Sequence, residues 1–455
     1  MKLLTDLSNT ILETPALLQK KFTQWLHIDL TKKSQRNGYF LIIEIFFATF
    51  LTAAASFNAA YAIRLGAGDE QISILTSIPA LIAVIIAIPV GSWLQRTAGK
   101  KTLLMRSLAL HRAGFVVIAL VPFLASLNLN RGTLVVWLLI LFTVPAQVFN
   151  IGFVSLTATV IRPEQRAAVF SLRNQIFFAV NSVCSFLFGM LLDVIVFPLN
   201  YQIMYFASFL LSLVSIFYLM KIEFRERAYT SDNPQAAEQP RKKLPALNVK
   251  QRVLKLVNDF RASPTFLQFN INTFLMDFGL WAVIPLFTVF YLNELNATEG
   301  WLGLLAATGS VTTIIGFGIG KKLINRHGRK KVLLFTALLR PLFPLVVAFF
   351  PNLTAIILLN MVLGILMPGL GLSHYNLMLD ATPDDRRDEY TAYYTMFQNI
   401  SVFVAPLVGA LIYSLVGYTA TFLIFAGVRL IGGLSWRLFP LRELEELPGI
   451  PDEND

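Results

Sequence analysis

Two carboxylic acids lie within long apolar stretches of the sequence, where a charged group is costly. Glu44 is near the start of the first such stretch, and Asp277 is near the middle of the seventh. An ionisable side chain at membrane depth is rare, and it marks either a transport pathway or a pairing between helices. One interpretation is that an acid binds a proton, a cation or a cationic solute. The other is that it holds two helices together, and the sequence leaves both open.

Further polar residues follow helical spacing in the same stretches and suit the wall of a water-filled cavity. Arg173 shares a helical face with Asn181 in the fifth stretch. We expect it either to bind an anionic group or to hold the inner gate closed. Hydrogen bonds between helices are the alternative explanation for such residues. Asp277 and Glu44 are the candidates for proton or ion coupling. The predicted cavity residues are Asn58, Gln147, Asn150, Arg173, Asn181, Asp277, Trp281, Asn376, Tyr394 and Gln398.

The elements that carry these residues are long, apolar and numerous. Of the 455 residues, 55% are hydrophobic and 14% are charged, which is too much apolar surface for a soluble core. A membrane-spanning helix needs about 20 apolar residues. Twelve stretches meet this length, and they predict helices rather than barrel strands because they are apolar on most faces. They run roughly over 38–63, 72–94, 102–124, 133–160, 168–192, 200–221, 265–292, 301–323, 331–350, 354–379, 391–415 and 418–438.

The positive charge of the chain is distributed as in a membrane protein. The net charge is +11, but the basic residues flank the predicted spans instead of forming a surface that reads nucleic acid. Lys330 and Lys331 follow the eighth span, for example. The connections on the opposite side contain only two basic residues, Arg64 and Arg131. This positive-inside pattern predicts a plasma (inner) membrane protein with both termini in the cytoplasm and no nucleic-acid partner.

A long polar stretch in the middle of the chain separates six spans from six. Its second part repeats apolar residues at Val249, Val253 and Leu256, which predicts a surface helix. Similar spacing near the N-terminus predicts another amphipathic helix. The predicted organisation is an amphipathic cytoplasmic segment 1–37, an N-terminal half 38–222, a cytoplasmic linker 223–263, a C-terminal half 264–440 and an acidic cytoplasmic tail 441–455.

One loop motif occurs twice, after the second span and after the eighth. In each copy a glycine precedes a polar stretch with an arginine, a second glycine follows eight residues after the first, and a basic run comes next. A proline-acid-x-arginine turn also follows the fourth and tenth spans. Loop chemistry repeated at corresponding places indicates a duplicated bundle, as in transporters. The residues of these predicted gating loops are Gly91, Gln95, Arg96, Gly99, Arg166, Gly320, Asn325, Arg326, Gly328 and Arg386.

Together the twelve spans, the central loop and the doubled motif resemble the major facilitator superfamily over nearly the whole chain. The resemblance implies an all-α membrane protein of two six-helix bundles related by pseudo-symmetry, with a small solute bound between them. In that family an acid precedes the loop arginine and forms a charged latch. Gln95 and Asn325 replace it here, so a latch that depends on charge is not expected, although both side chains can still form hydrogen bonds. Spans three, nine and twelve are peripheral in the family, which implies structural roles for Arg112, Arg340 and Arg429.

Motifs of other function classes are missing from the sequence. It has no phosphate-binding G-x-x-x-x-G-K-[ST] loop and no cysteine–histidine cluster with metal spacing, and its single cysteine, Cys184, excludes an internal disulfide. We therefore predict a monomeric secondary transporter that works by alternating access, without enzyme activity, cofactor or metal, and with proton coupling as a hypothesis. The alternatives are an uncoupled facilitator or a membrane sensor or lipid-handling protein on the same fold. Neither the solute nor the direction of transport follows from the sequence.

Overall fold

The structure is a computed structural model that describes residues 32–96, 99–123, 130–161, 163–223, 249–383, 386–439 and 441. The predicted N-terminal amphipathic helix lies outside the described residues, as does the tail beyond residue 441. Within the described residues the chain forms long helices, and eleven of them are long and apolar enough to cross a membrane. The predicted fold class, an all-α membrane protein of two bundles, is confirmed.

The first bundle contains six spans formed by seven helices. Gly99 precedes one of them in the left-handed conformation (φ 75°), which glycine adopts without strain. Asn130 caps another, because its side chain accepts hydrogen bonds from the backbone N–H groups of Gly132 and Thr133. The helices are α1 (Lys33–Ala55), α2 (Asn58–Arg64), α3 (Asp69–Arg96), α4 (Lys100–Leu120), α5 (Arg131–Val160), α6 (Pro163–Val194) and α7 (Leu199–Lys221).

The second bundle repeats this plan after the linker helix α8 (Val249–Ala262), which lies where the apolar spacing predicts a helix. Thr298 and Asn352 cap two of its helices by accepting backbone N–H bonds. Gly328, with φ 76°, occupies the place that Gly99 has in the first bundle. The helices are α9 (Pro264–Trp281), α10 (Ile284–Asn293), α11 (Glu299–His327), α12 (Arg329–Leu339), α13 (Leu342–Phe349), α14 (Leu353–Asp380) and α15 (Arg387–Leu438).

The last helix contains two spans. α15 has 52 residues, more than twice the length of about 20 residues that a bilayer requires. Its backbone leaves the helical region at Gly417 (φ 75°, ψ 179°), between the eleventh and twelfth predicted spans. Only glycine adopts this combination of angles readily. α15 is therefore divided at Gly417 into two helices, so that the eleven apolar helices of the described residues correspond to the twelve predicted spans.

The first and seventh spans are interrupted at corresponding positions. α1 ends at Ala55 and α2 begins at Asn58, while α9 ends at Trp281 and α10 begins at Ile284. The separations are equal, since 281 − 55 = 226 and 284 − 58 = 226. Backbone carbonyls beside a break lose their partners within the helix and need other donors. Paired breaks in two halves of a transporter fold point to the place where a solute binds.

The two bundles contact one another most closely through α6 and α11. A Cβ atom on Gly303 would lie 2.4 Å from the carbonyl oxygen of Ser185, and one on Gly189 would lie 3.0 Å from the Cα of Gly303. Side chains at these positions would overlap with backbone, so glycine is required for the approach. The backbones of the two halves are therefore in direct contact along this line.

Candidate functional site

A cavity of about 610 Å³ lies inside the first bundle, against the break between α1 and α2. Glu44 of α1 and Arg173 of α6 both line it. They form an ion pair, with the Arg173 Nη1 atom 2.7 Å from Glu44 Oε2, and both side chains are less than a tenth exposed. Arg173 also donates to the carbonyl oxygen of Leu41 at 2.6 Å. Glu44 thus faces the predicted cavity and is paired there. Asn58 and Asn150 line the same cavity.

Arg112 of α4 lines this cavity from the other side. It donates from Nη1 to the carbonyl oxygen of Ser212, and from Nη2 to Ser215 Oγ at 2.7 Å. Both acceptors belong to α7, so Arg112 joins two helices, which agrees with a structural role. Neither acceptor carries a charge, however, and Arg112 is only 4% exposed.

The second bundle contains a corresponding cavity of about 480 Å³, lined by Arg340 and Arg429 among others. Asp277 of α9 pairs with Arg340, whose Nη1 lies 3.0 Å from Asp277 Oδ1. Arg429 donates from Nε to the carbonyl of Gly279 at 3.0 Å and from Nη1 to the carbonyl of Arg340 at 3.3 Å. These carbonyls lie beside breaks in the seventh and ninth spans. Arg429 therefore satisfies acceptors that the interrupted helices leave free.

A third cavity, of about 370 Å³, lies between the bundles and borders the other two. It shares Ser56 with the first cavity, and it shares Gly309, Thr313 and Asn360 with the second. Ser56 is at the break in the first span. The three cavities therefore follow one another from the first bundle to the second, beside the paired helix breaks.

The bundles are held together at one end of the helices, which we call the gate end. There Arg64 of α2 binds Glu299 of α11 through two hydrogen bonds, Nε to Oε1 at 2.7 Å and Nη2 to Oε2 at 2.9 Å. The hydroxyl of Tyr201 donates to the same carboxylate at 3.2 Å. This bidentate geometry is the strong form of an arginine–carboxylate pair. In the sequence, Arg64 indicates only the topology of the chain, and Glu299 resembles an ordinary acid in a first helical turn.

A second contact reinforces the gate end. The carboxylate of Asp193, at the end of α6, accepts from the Thr298 hydroxyl at 2.8 Å and from the Gly300 N–H at 2.9 Å. It therefore binds the first turn of α11, where the helix dipole favours a negative charge. Closer to the cavity, the Asn181 amide donates to Ser310 Oγ at 3.1 Å. Asn181, a predicted cavity residue, thus connects the two halves.

The other end, which we call the loop end, carries the doubled motif. Gly99 and Gly328 begin α4 and α12 there with positive φ, whereas Gly91 and Gly320 lie within α3 and α11. Asn325 and Arg326 are exposed, and the side chains of Gln95 and Arg96 lie outside the described residues. Residues of α6 and α11 at this end, such as Gln175 and Lys322, are exposed.

Both loop-turn arginines form hydrogen bonds in the structure. Arg166 donates to the carbonyl of Ile161 in its own turn at 3.2 Å. Arg386 binds Asp259 of the linker helix α8 through two hydrogen bonds, of 2.8 and 2.6 Å, and also Glu389. The hydrogen bond from Arg386 is the largest influence that lowers the pKa of Asp259. In the second half, this turn therefore anchors the linker.

The remaining predicted cavity residues lie around the second bundle and α5. Tyr394 accepts from Gln398 at 3.0 Å and lies beside His374, which shares a hydrogen bond of 2.8 Å with Thr273. Trp281 packs in an apolar cluster at the end of α9. Gln147 and Asn376 are half-buried in α5 and α14. The cavities described above do not bring these residues together with Glu44.

The Major Facilitator Superfamily model matches residues 41–271 and, a second time, residues 269–454. The chain belongs to the Major Facilitator Superfamily. The two matches correspond to the two bundles of this superfamily member, and the predicted resemblance is confirmed. A comparison with curated protein sequences finds no match.

Solved structures of other transporters share the fold. The nucleoside transporter NupG is 12% identical, with a TM-score of 0.66, and the match covers 88% of this chain and 99% of NupG. A bacterial homologue of the iron transporter ferroportin is 14% identical, with a TM-score of 0.67 and coverages of 90% and 99%. A bacterial homologue of the human lysosomal transporter Spinster is 12% identical, with a TM-score of 0.64 and coverages of 91% and 99%. At these identities the similarity concerns the fold.

Proposed function

We propose that this superfamily member moves a small solute across the membrane by alternating access, along the path formed by the three joined cavities. The observation that carries the proposal is that three neighbouring cavities extend from one bundle to the other while Arg64 and Glu299 hold the gate end together. If the Arg64–Glu299 pair opens and the two halves approach each other at the loop end, the same path becomes accessible from the gate end. Asn58, Asn150 and Arg173 are proposed to contact the solute.

We place the loop end in the cytoplasm of a plasma (inner) membrane, with both termini on that side. The basic residues after the second and eighth spans support this orientation. In this orientation the described state is closed outside and accessible from inside. The ferroportin and Spinster homologues of similar fold were solved in inward-facing states, which supports the same assignment. The halves 38–222 and 264–440 are the proposed moving units, joined by the linker 223–263.

Proton coupling is the proposed use of the two buried acids. Asp277 neutralises Arg340, and Glu44 neutralises Arg173, in the described state. Protonation of either acid would remove the charge that its arginine compensates, and so would link proton uptake to the occupancy of the path. An uncoupled facilitator is the second candidate, and the same ion pairs favour it if they only hold helices together. The protein is proposed to act as a monomer, without nucleic acid and without enzyme activity, because one chain supplies both walls of the path.

Distances between spin labels test alternating access without knowledge of the solute. Cys184→Ser provides a cysteine-free background, since the chain has one cysteine. One label pair, at Gln175 and Lys322, reports on the loop end, and another, at Val196 and Asn293, reports on the gate end. We expect two populations at each end, with long loop-end distances accompanying short gate-end distances. A single fixed distance at both ends, between pH 5.5 and 8, would refute alternating access.

The same labels separate coupling from facilitation. If Asp277 is the coupling site, acidic pH shifts the two populations, and Asp277→Asn abolishes the shift. Glu70→Gln is the matched control, because Glu70 is an exposed acid in the first turn of α3. A shift that survives in both Asp277→Asn and Glu44→Gln would assign the coupling elsewhere. If the two distance populations do not change with pH in the protein with native acids, the uncoupled facilitator is favoured.

A further inference from the structure

The charged residues along the joined cavities are mostly arginines. Arg112 and Arg173 line the first cavity, and Arg340 and Arg429 line the second. All four are at least nine-tenths buried. Among the described residues, the one acid that lines these cavities is Glu44. The formal charge of the lining is therefore 4 − 1 = +3. Counting Asp277, which binds Arg340 from outside the lining, the sum is still +2.

Two of these arginines have no carboxylate among their hydrogen-bond partners in the described part of the chain. Arg112 binds a carbonyl and a hydroxyl, and Arg429 binds three carbonyls. A guanidinium has five N–H groups, so Arg112 uses two and keeps three. Arg429 receives some compensation from the carbonyl end of α9, equivalent to about half a negative charge. A positive excess therefore remains.

An uncompensated charge in a place of low dielectric constant is costly, since water is replaced by groups that solvate it less well. Carbonyl capping explains why a hydrogen-bond donor is needed at Arg429, and the acceptors in α7 explain one at Arg112, but a neutral donor would satisfy the same acceptors. The arrangement is also repeated, because Arg112 and Arg340 lie in the third span of their respective halves, with 340 − 112 = 228, close to the 226-residue spacing of the helix breaks. Each half thus brings excess positive charge to the shared path.

We propose that the solute is an organic anion, carrying one or two carboxylate or phosphate groups. Two negative charges would balance the +2 of the path, and Arg112 and Arg429 are the proposed contacts. The connecting cavity between them is lined by Phe57 and Phe178 together with Ser56 and Ser310, so the solute has an apolar part as well. This assignment rests on the proposed function, since it names the class of solute that the path carries.

A bound anion would also draw the halves together, because it contacts arginines of both. Arg112 belongs to the first bundle and Arg429 to the second. Attraction to one anion from both sides favours a state in which the gap between the bundles is narrow and dry. Binding of the anion is therefore expected to shift the label populations as well as to stabilise the protein.

A charge-matched set of probes on one ring tests the proposal. The protein, in nanodiscs of zwitterionic phosphatidylcholine, is titrated with benzoate, phthalate, phenyl phosphate, neutral benzamide and cationic benzylamine, and its unfolding temperature is followed by tryptophan fluorescence. We expect saturable stabilisation by the anions, larger for two charges than for one, and none by benzamide or benzylamine. High ionic strength should weaken it. Stabilisation by benzylamine or benzamide equal to that by benzoate would overturn the proposal, as would the absence of any effect of the three anions.

Variants locate the site. Arg112→Gln should weaken phthalate binding by about ten-fold or more, the loss typical of a charged hydrogen bond, and Arg112→Lys should restore much of it. Arg131→Gln removes an exposed charge at the start of α5 and is the matched control. Equal affinities in Arg112→Gln and Arg131→Gln would reject this contact. If Arg112→Gln does not fold, the charge series on the unmodified protein still decides the sign of the solute.

The spin labels distinguish the two proposals from one another. If phthalate binds saturably while the distances at both ends stay fixed, the anion site stands and alternating access fails. If the distances alternate, but benzylamine shifts them and phthalate does not, alternating access stands and the anionic solute is rejected.

Discussion

Removal of the charge on Glu299 should open the gate end. Glu299→Gln keeps the shape of the side chain but loses the carboxylate that binds Arg64 through two hydrogen bonds and Tyr201 through a third. The new amide nitrogen would also face an arginine donor. The contacts of Glu299 with Arg64 and Tyr201 join the two halves. Their loss therefore favours the state in which the halves separate at the gate end.

The expected magnitude follows from the burial of the two partners. The Glu299 side chain is 7% exposed, whereas that of Arg64 is 49% exposed. An exposed pair contributes about 0–1 kcal/mol, and loss of one partner of a buried pair costs about 3–5 kcal/mol. A half-buried pair lies between them, at about 2 kcal/mol, which changes a population ratio about 30-fold. A sample with about one molecule in twenty open at the gate end would become more than half open.

Double electron–electron resonance on the Val196 and Asn293 labels measures this change directly. The control is Glu70→Gln, which removes an exposed acid from the same end of the molecule. We expect longer gate-end distances and shorter loop-end distances in Glu299→Gln, and no change in the control. If Glu299→Gln behaves as the control does, the ion pair does not hold the gate, and glycine packing between α6 and α11 must do so.

Three further predictions follow from the packing, the backbone and the linker. Gly303→Val should lengthen the gate-end label distances, because even a Cβ atom there would lie 2.4 Å from the Ser185 carbonyl oxygen; unchanged distances would contradict the close packing. Gly328→Ala should lower the unfolding temperature by several degrees, at a cost of about 1–3 kcal/mol for φ 76°, while Gly318→Ala, in open space within a helix, should not. Asp259→Asn should increase amide hydrogen exchange in α8. The pKa of Asp259 is lowered in the folded state. The carboxylate therefore stabilises α8 fully above the unfolded-state pKa of about 3.9, and this stabilisation is lost as the pH falls through the lower folded-state pKa. Exchange of α8 should thus be independent of this group from pH 5 to 8 and rise below about pH 4; a rise already at pH 6 would contradict this assignment.

The fold could be predicted because its signals are local in the sequence. Span length, apolar composition and the doubled loop each depend on neighbouring residues, and all are present in the structure. The position of Gly417 also agrees with the predicted boundary between the last two spans. The interruptions in the first and seventh spans were not predicted, since Ser56 and Ala282 stand in stretches that remain apolar on both sides.

The partners of the charged residues could not be predicted from the sequence. Glu44 and Asp277 could be singled out because a charge inside an apolar stretch is unusual, but Arg173 is 129 residues from Glu44 and Arg340 is 63 residues from Asp277. Glu299 was overlooked because an acid in a first helical turn has a local explanation in the helix dipole.

The sequence by itself therefore determined the membrane class, the duplication and the superfamily of this protein, because hydrophobicity and repeated motifs can be recognised without knowing which helices touch. Only the tertiary structure decided that the buried acids are paired with arginines, that Arg64 and Glu299 close one end, and that the joined cavities carry an excess of positive charge. The physical reason is that an ion pair and the charge of a cavity depend on distances between helices far apart in the chain. Those distances are set by packing of the whole bundle and are not encoded in the spacing of any one segment.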